Sequence, residues 1–85
     1  MKSFNYVVTD AIGFHVRPVT LLANLAMNFQ SRILISYDGQ VADATKVMAL
    51  MSLGVKNGAN VQMTCEGEDE QAAVENMEIF FKDHL

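Results

Sequence analysis

The stretch "DAIGFHVRPVTLLANLA", residues 10–26, contains a loop that ends in a histidine and leads into an apolar helical pattern. Apolar residues recur at three- and four-residue spacing, which predicts an amphipathic helix over residues 16–29. The residues of this stripe are Val19, Leu22, Ala26 and Phe29. Pro18 fits the first turn, because it has no N–H to leave unpaired and its φ is fixed. His15 is therefore expected at the N-cap, directly before the helix.

The start of this helix has the features of an anion-binding site. The N–H groups of a first helical turn lack intrahelical partners and the helix dipole is positive there, so phosphate binds readily. Imidazole can attack phosphorus when its second ring nitrogen is held by an acceptor. Arg17 can neutralise the phosphoryl oxygens, and Gly13 lets the loop approach closely. A lone histidine in a loop is usually a surface or capping residue, but its combination with Gly13, Arg17 and Pro18 indicates phosphoryl transfer.

The rest of the sequence predicts four strands and two more helices. Alternating or β-rich segments predict strands over residues 2–8, 32–37, 40–43 and 59–66. Asp38-Gly39 is a two-residue turn signal and joins the middle two strands as a hairpin. A short helix is expected over residues 47–53, ended by Gly54, and a C-terminal helix is expected after an N-cap at Asp69. The stripe of the C-terminal helix comprises Ala73, Val74, Met77, Phe80 and Phe81.

The predicted order is β-α-β-β-α-β-α, which indicates an α+β fold with helices on one face of a mostly antiparallel sheet. A length of 85 residues suits a single domain spanning residues 1–85. Acidic residues cluster at the start of the last helix, where the dipole favours anions, so we expect a solvated cap there rather than a catalytic pair of carboxylates. These residues are Glu66, Glu68, Asp69 and Glu70.

Charge and composition exclude several classes of function. The formal net charge is −4 and the six Lys and Arg residues are scattered, so neither nucleic acid nor an anionic membrane surface is an expected partner. With no signal peptide or long apolar run expected, the protein should be cytoplasmic, without direct membrane insertion. The single cysteine, Cys65, reads as a buried apolar residue of a strand. Together with only His15 and His84, it offers too few ligands for a zinc site.

Three segments resemble the HPr family, the histidine-containing phosphocarriers of the bacterial sugar phosphotransferase system. "GFHVRP", residues 13–18, resembles the active-site motif of that family. "VMALMSLGVKNGANVQM", residues 47–63, is similar to its second signature, and "EGEDEQAAVENM", residues 66–77, is similar to the entry of its C-terminal helix. The resemblance implies an open-faced β-sandwich, with four antiparallel strands and three helices on one face. It also implies a phosphocarrier that has no independent turnover and needs no metal or cofactor.

The resemblance assigns roles to individual residues. It implies that His15 accepts a phosphoryl group at Nδ1 from the phosphohistidine of Enzyme I and passes it to IIA domains of sugar permeases. Arg17 would stabilise the phosphoryl group, and the amides of Val16 and Arg17 would bind it. An apolar patch beside the histidine would dock both partners, since Met adapts to several surfaces. By position, the candidates for this patch are Thr20, Val47, Met48 and Met51.

The sequence departs from the family at several positions. Ile12 stands where a small polar residue is usual, and Asp10 is a candidate to supply the missing polarity. Lys46 occupies the place of the regulatory serine, so we expect no regulation by HPr kinase. Family lysines around the histidine are absent, which predicts weaker electrostatic steering toward Enzyme I. Their places are taken by Asn24, Met27 and Ala49.

Two alternative functions stay open. The first is a dedicated relay for a nitrogen-type or single-sugar branch of the phosphotransferase system. The second is a regulatory binding module of the same fold that does not transfer phosphate. Such regulatory relatives replace the histidine and keep the serine, whereas this sequence has His15 and Lys46. A relay that must visit two partners is expected to be a monomer.

Overall fold

The computed structural model describes residues 1–85 in full, as four strands and three helices. The strands are β1 (Lys2–Val7), β2 (Arg32–Tyr37), β3 (Gln40–Asp43) and β4 (Asn60–Glu66). The helices are α1 (Val16–Ala26), α2 (Val47–Ser52) and α3 (Glu70–His84). The predicted element order and the α+β fold are therefore confirmed, with bounds that shift by one residue or a few. None of the helices is long and apolar enough to span a bilayer.

The sheet has the strand order β1-β4-β2-β3, and every neighbouring pair is antiparallel. Met63 in the centre of β4 pairs with Phe4 on one side and Ile35 on the other. The predicted hairpin is present: Asp38 (φ 51°) and Gly39 (φ 78°) are both left-handed, as a two-residue turn that follows the sheet twist requires. The two edge strands are thus β1 and β3.

One face of the sheet and the helices enclose the core. Alternate residues of β2 and β4 are buried, whereas Gln62, between Val61 and Met63, is exposed. These buried residues are Ile33, Ile35, Val61, Met63 and Cys65. Phe81 of α3 is fully buried and meets the rings of Phe4, Tyr6 and Phe14 edge-on, at centroid distances of 5.9, 5.4 and 6.3 Å. Such pairs add to the energy of burial, so Phe81 fixes α3 on the sheet beside the loop before α1.

Helix α1 ends at Ala26, three residues before the predicted end at Phe29. The N–H groups of Asn28 and Phe29 donate to the carbonyls of Leu25 and Ala26, at 3.0 and 3.2 Å. This three-residue spacing tightens the last turn and ends the α-helix. Phe29 still packs against the core, from the turn rather than from the helix.

The acidic cluster before α3 does more than the predicted solvated cap. Asp69 lies at the N-cap position but makes no side-chain capping hydrogen bond. Its carboxylate instead accepts the N–H of Gln30, the N–H of Ser31 and the hydroxyl of Ser31, at 2.9, 2.9 and 2.5 Å. Glu70 accepts the N–H of Gly67 at 3.1 Å and pairs with the N-terminal ammonium at 2.8 Å. The carboxylates therefore connect the start of α3 to the segment directly before β2 and to the N-terminus.

Candidate functional site

His15 occupies the N-cap of α1, as predicted. Its backbone is extended (φ −138°, ψ 172°), and its carbonyl accepts the first helical hydrogen bond from the N–H of Val19 at 3.1 Å. The N–H groups of Val16 and Arg17 precede that bond and have no intrahelical partner. The His15 side chain is 33 % exposed, so the ring is half-buried but open to solvent. A titratable ring thus lies beside the positive end of a helix.

Asp10 holds the loop around the histidine. Its Oδ2 accepts the N–H groups of Ile12 and Gly13, both at 3.0 Å, and lies 3.5 Å from Nε2 of His15. The two backbone hydrogen bonds, followed by the interaction with His15, hold the pKa of Asp10 below its ordinary value, so this carboxylate is ionised at neutral pH. Asp10 therefore places an ionised carboxylate at ion-pair distance from Nε2 of His15. Ile12 contributes its backbone, while its side chain is exposed.

Two contacts from distant parts of the chain fix the backbone of this loop. The carbonyl of Leu85 accepts the N–H groups of Thr9 and Asp10 at 2.7 and 2.8 Å. The Nδ2 of Asn57 donates to the carbonyls of the same two residues at 3.1 and 3.2 Å. Sequence reasoning missed both roles, because neither residue belongs to a motif close to His15 in the chain. Both roles depend on contacts across 47 residues or more.

Gly13 allows the loop to lie directly on the segment after α2. The N–H of Phe14 donates to the carbonyl of Val55 at 2.9 Å, and Gly13 has φ 90°. A Cβ at residue 13 would lie 2.5 Å from Cα of Lys56, a distance that real contacts do not reach. Glycine is required here by the close approach as well as by the left-handed φ.

The histidine faces an open depression of about 700 Å³. Its lining residues are Asp10, His15, Arg17, Pro18, Thr20, Leu21 and His84. Of the predicted site residues, the depression brings together His15, Arg17 and Thr20. Leu21 and His84 were not predicted: Leu21 is 45 % exposed, outside the apolar stripe of α1, and His84 comes from the far end of the chain.

The other predicted docking residues lie on α2 and do not line this depression. Met48 is 78 % exposed, whereas Val47 and Met51 are partly buried against the core. Lys46 is exposed at the N-cap of α2.

Cys65 is a buried residue of β4, as predicted. Burial, assisted by the charges of Glu70 and Asp69, raises the pKa of its thiol to about 11. The thiol is therefore protonated and inert at neutral pH. No three His, Cys, Asp or Glu side chains are grouped in a way that could hold a metal ion.

Residues 2–83 match the family model for the PTS HPr component phosphorylation site. The chain belongs to the HPr family. Its fold is similar to that of a mycoplasma histidine-containing phosphocarrier protein, with a TM-score of 0.94, 27 % identity and coverage of 96 % of this chain and 93 % of that one. Phosphocarrier protein HPr from Bacillus anthracis matches with a TM-score of 0.87, 29 % identity and coverage of 94 % and 95 %.

A regulatory-type HPr relative is similar as well. The catabolite repression protein Crh of Bacillus subtilis, described as a swapped, intertwined dimer, matches with a TM-score of 0.79 and 33 % identity. The match covers 88 % of this chain and 86 % of Crh. Membership of the HPr family makes this protein a phosphocarrier of the phosphotransferase system, and the open sheet with three helices is the HPr fold.

Proposed function

We propose that His15 accepts a phosphoryl group at Nδ1 from the phosphohistidine of Enzyme I and passes it to IIA domains of sugar permeases. The observation that carries this proposal is the place of the ring: it lies at the N-cap of α1, with Nε2 3.5 Å from an ionised carboxylate and with Arg17 lining the same depression. Positioning and charge stabilisation are nearly all that phosphoryl transfer requires of a protein.

The transfer step balances without a separate acid or base. The lone pair of Nδ1 attacks phosphorus, and the P–N bond to the donor imidazole breaks as its electron pair returns to the donor ring. The acceptor ring becomes a phosphoimidazolium whose Nε2–H faces Asp10, 3.5 Å away. The donor, a phosphoimidazolium before transfer, leaves as a neutral imidazole. Arg17 and the amides of Val16 and Arg17 would bind the phosphoryl oxygens during this step.

We assign docking of both partners to Thr20, Val47, Met48 and Met51, with Met48 as the main contact because it is the most exposed of the three residues on α2. Leu21 joins this set because it lines the depression beside His15. A flexible thioether can repack against different surfaces, as a relay between two partners requires.

The proposed relay works as one unit of residues 1–85, as a monomer in the cytoplasm, without cofactor and without independent turnover. A single cluster of 20 buried residues supports one unit, and a free buried cysteine suits a reducing compartment. The exposed Lys46 cannot form a phosphate ester, which supports the absence of HPr-kinase regulation.

The direct test is phosphorylation with Enzyme I and labelled phosphoenolpyruvate. We expect acid-labile, base-stable phosphate on the wild type, no label on His15→Ala, and transfer of the label to IIA domains. Native mass spectrometry at neutral pH should show a monomer with one phosphate per chain. Wild-type protein that stays unlabelled with several Enzyme I proteins would refute the relay.

A regulatory binding module is the second candidate, favoured by the 33 % identity to Crh. His15 and Lys46 argue against it, because the regulatory relatives lack the histidine and keep the serine. The same experiment separates the candidates. Absence of label favours the regulatory module, and label from the Enzyme I of one branch alone favours a dedicated relay for a nitrogen-type or single-sugar system.

A further inference from the structure

A second histidine, His84, lines the same depression as His15. Its ring stacks on Phe80 with a centroid distance of 4.5 Å and an interplanar angle of 30°. Phe80 is itself 9 % exposed and belongs to the core, so the ring of His84 rests on a fixed support. Leu85, the next residue, is buried, and its carbonyl binds the N–H of Asp10. Phe80, which stacks on the ring, and Leu85, which follows it in the chain, therefore fix the position of the imidazole.

The charge balance of the depression points to a role for this ring as a positive charge beside the phosphoryl group. A phosphoryl group on His15 brings about two negative charges at neutral pH. Among the lining residues, Arg17 is the one permanent cation, and Asp10 adds a negative charge. Even with the positive charge of the phosphoimidazolium ring counted, a phosphorylated site would therefore keep about one excess negative charge unless another group becomes positive. His84 is the lining residue that can do so, and it lies in the last turn of α3, where the helix dipole favours a cation.

Several elements supply charged groups to the part of the molecule that contains His84. The loop after β1 contributes Asp10 and His15, and α1 contributes Arg17. On its own helix, Lys82 and Asp83 are adjacent in sequence and exposed. The turn after α2, which packs on the loop, adds the exposed Lys56. Lys82 is 3.8 Å from Glu78, which partly neutralises it.

We propose that His84 is a second phosphoryl-binding side chain, which as an imidazolium stabilises the phosphoryl group carried by His15. This inference rests on the proposed function, since it requires His15 to be phosphorylated. Its effect belongs to the phosphorylated state and requires the ring to carry a positive charge. Because the site is exposed, the stabilisation is modest, about two- to fivefold in an equilibrium constant.

Two substitutions separate charge from packing. His84→Phe keeps an aromatic ring that can stack on Phe80 but removes the charge. His84→Lys removes the ring and keeps a positive charge at every pH tested. The measurement is the equilibrium constant for phosphoryl exchange between Enzyme I and each protein, at pH 6.0 and 8.0. Dividing the equilibrium constant of each variant by that of the wild type cancels the pH dependence of Enzyme I. An equilibrium constant also does not depend on how fast or how tightly the two proteins dock.

We expect His84→Phe to lower the constant about two- to fivefold at pH 6.0 and to leave it unchanged at pH 8.0. His84→Lys should match the wild type at pH 6.0 and exceed it at pH 8.0. The ³¹P resonance of the phosphorylated protein should likewise differ between wild type and His84→Phe at pH 6.0 alone.

Three results would overturn the inference. A His84→Phe protein that equals the wild type at both pH values shows that the charge has no role. A defect in His84→Lys combined with a normal His84→Phe protein shows that the ring serves packing alone. Wild-type protein without label on His15 refutes the proposed function and this inference together, whereas labelled protein with unaltered His84 variants refutes this inference alone.

Discussion

The carboxylate of Asp10 lies 3.5 Å from Nε2 of His15, and the same oxygen accepts the N–H groups of Ile12 and Gly13. One atom thus shapes the loop and faces the ring nitrogen that does not carry the phosphoryl group in the proposed mechanism. In the proposed mechanism a polar side chain at residue 12 is unnecessary, because Asp10 would supply the acceptor. Ile12 is therefore free to be exposed and apolar.

Asp10→Asn should slow phosphoryl acceptance about two- to fivefold, because the phosphoimidazolium loses a nearby negative charge at an exposed site. Quenched-flow measurement of phosphate incorporation from phosphorylated Enzyme I gives the rate. Asp38→Asn is the matched control, since Asp38 lies in the β2–β3 turn and asparagine tolerates its φ of 51°. Equal rates for Asp10→Asn and the control would remove Asp10 from the mechanism.

Arg17→Ala should lower the transfer rate about a hundredfold, the usual effect of losing one group that stabilises developing charge. The transfer rate of Arg17→Lys should lie between those of the wild type and Arg17→Ala, because an ammonium cannot form the paired hydrogen bonds of a guanidinium. Arg32→Ala, at the start of β2, serves as the control for loss of one positive charge. A transfer rate that Arg17→Ala leaves unchanged would contradict the assigned role.

Met48→Ala should weaken binding of Enzyme I about fivefold or more, if Met48 is an anchor of the docking surface. Titration calorimetry with unphosphorylated Enzyme I measures the Kd. Val41→Ala on the edge strand β3 is the control, because Val41 is 62 % exposed and apolar but lies on the sheet. A similar Kd for both variants would place the docking surface elsewhere.

Gly13→Ala should lower the free energy of unfolding by about 2 kcal/mol or more, because the new Cβ meets the Val55–Lys56 backbone and the φ is left-handed. Gly58→Ala has nearly the same φ, 87° against 90°, with open space around it. Gly58→Ala should therefore lower the free energy of unfolding only by the conformational strain, about 1 kcal/mol. Urea denaturation compares the two variants, and equal losses would show that the close approach is unimportant.

Asp69→Asn should destabilise the protein at neutral pH and much less in acid. The hydroxyl of Ser31, followed by the N–H of Gln30, lowers the pKa of Asp69 in the folded protein. A folded-state pKa below the unfolded value of about 3.9 gives stability that is present above that value and lost as the pH falls through the folded-state pKa. The urea midpoints of wild type and variant should differ at pH 7, and the difference should shrink as the pH falls below the unfolded value of about 3.9. Glu68→Gln, at an exposed neighbour, is the control for loss of one carboxylate charge.

The sequence by itself determined the order of the elements and the position of the histidine. The apolar spacing of α1, the proline in its first turn and the Asp38-Gly39 hairpin follow rules that act within a few residues. His15 could be placed at the helix start for the same reason. The end of α1 was predicted too late, because an apolar residue such as Phe29 can pack on the core from a turn as well as from a helix.

The tertiary structure alone decided how the site is assembled. The Leu85 carbonyl on the loop, the amide of Asn57 beside it and the ring of His84 in the depression all come from segments more than 40 residues away. The carboxylate of Asp69 likewise bonds Ser31 rather than its own helix. Periodicity and capping rules describe neighbours along the chain. These contacts, in contrast, exist only after the sheet has formed and brought the N-terminus of α1 beside the C-terminus of α3.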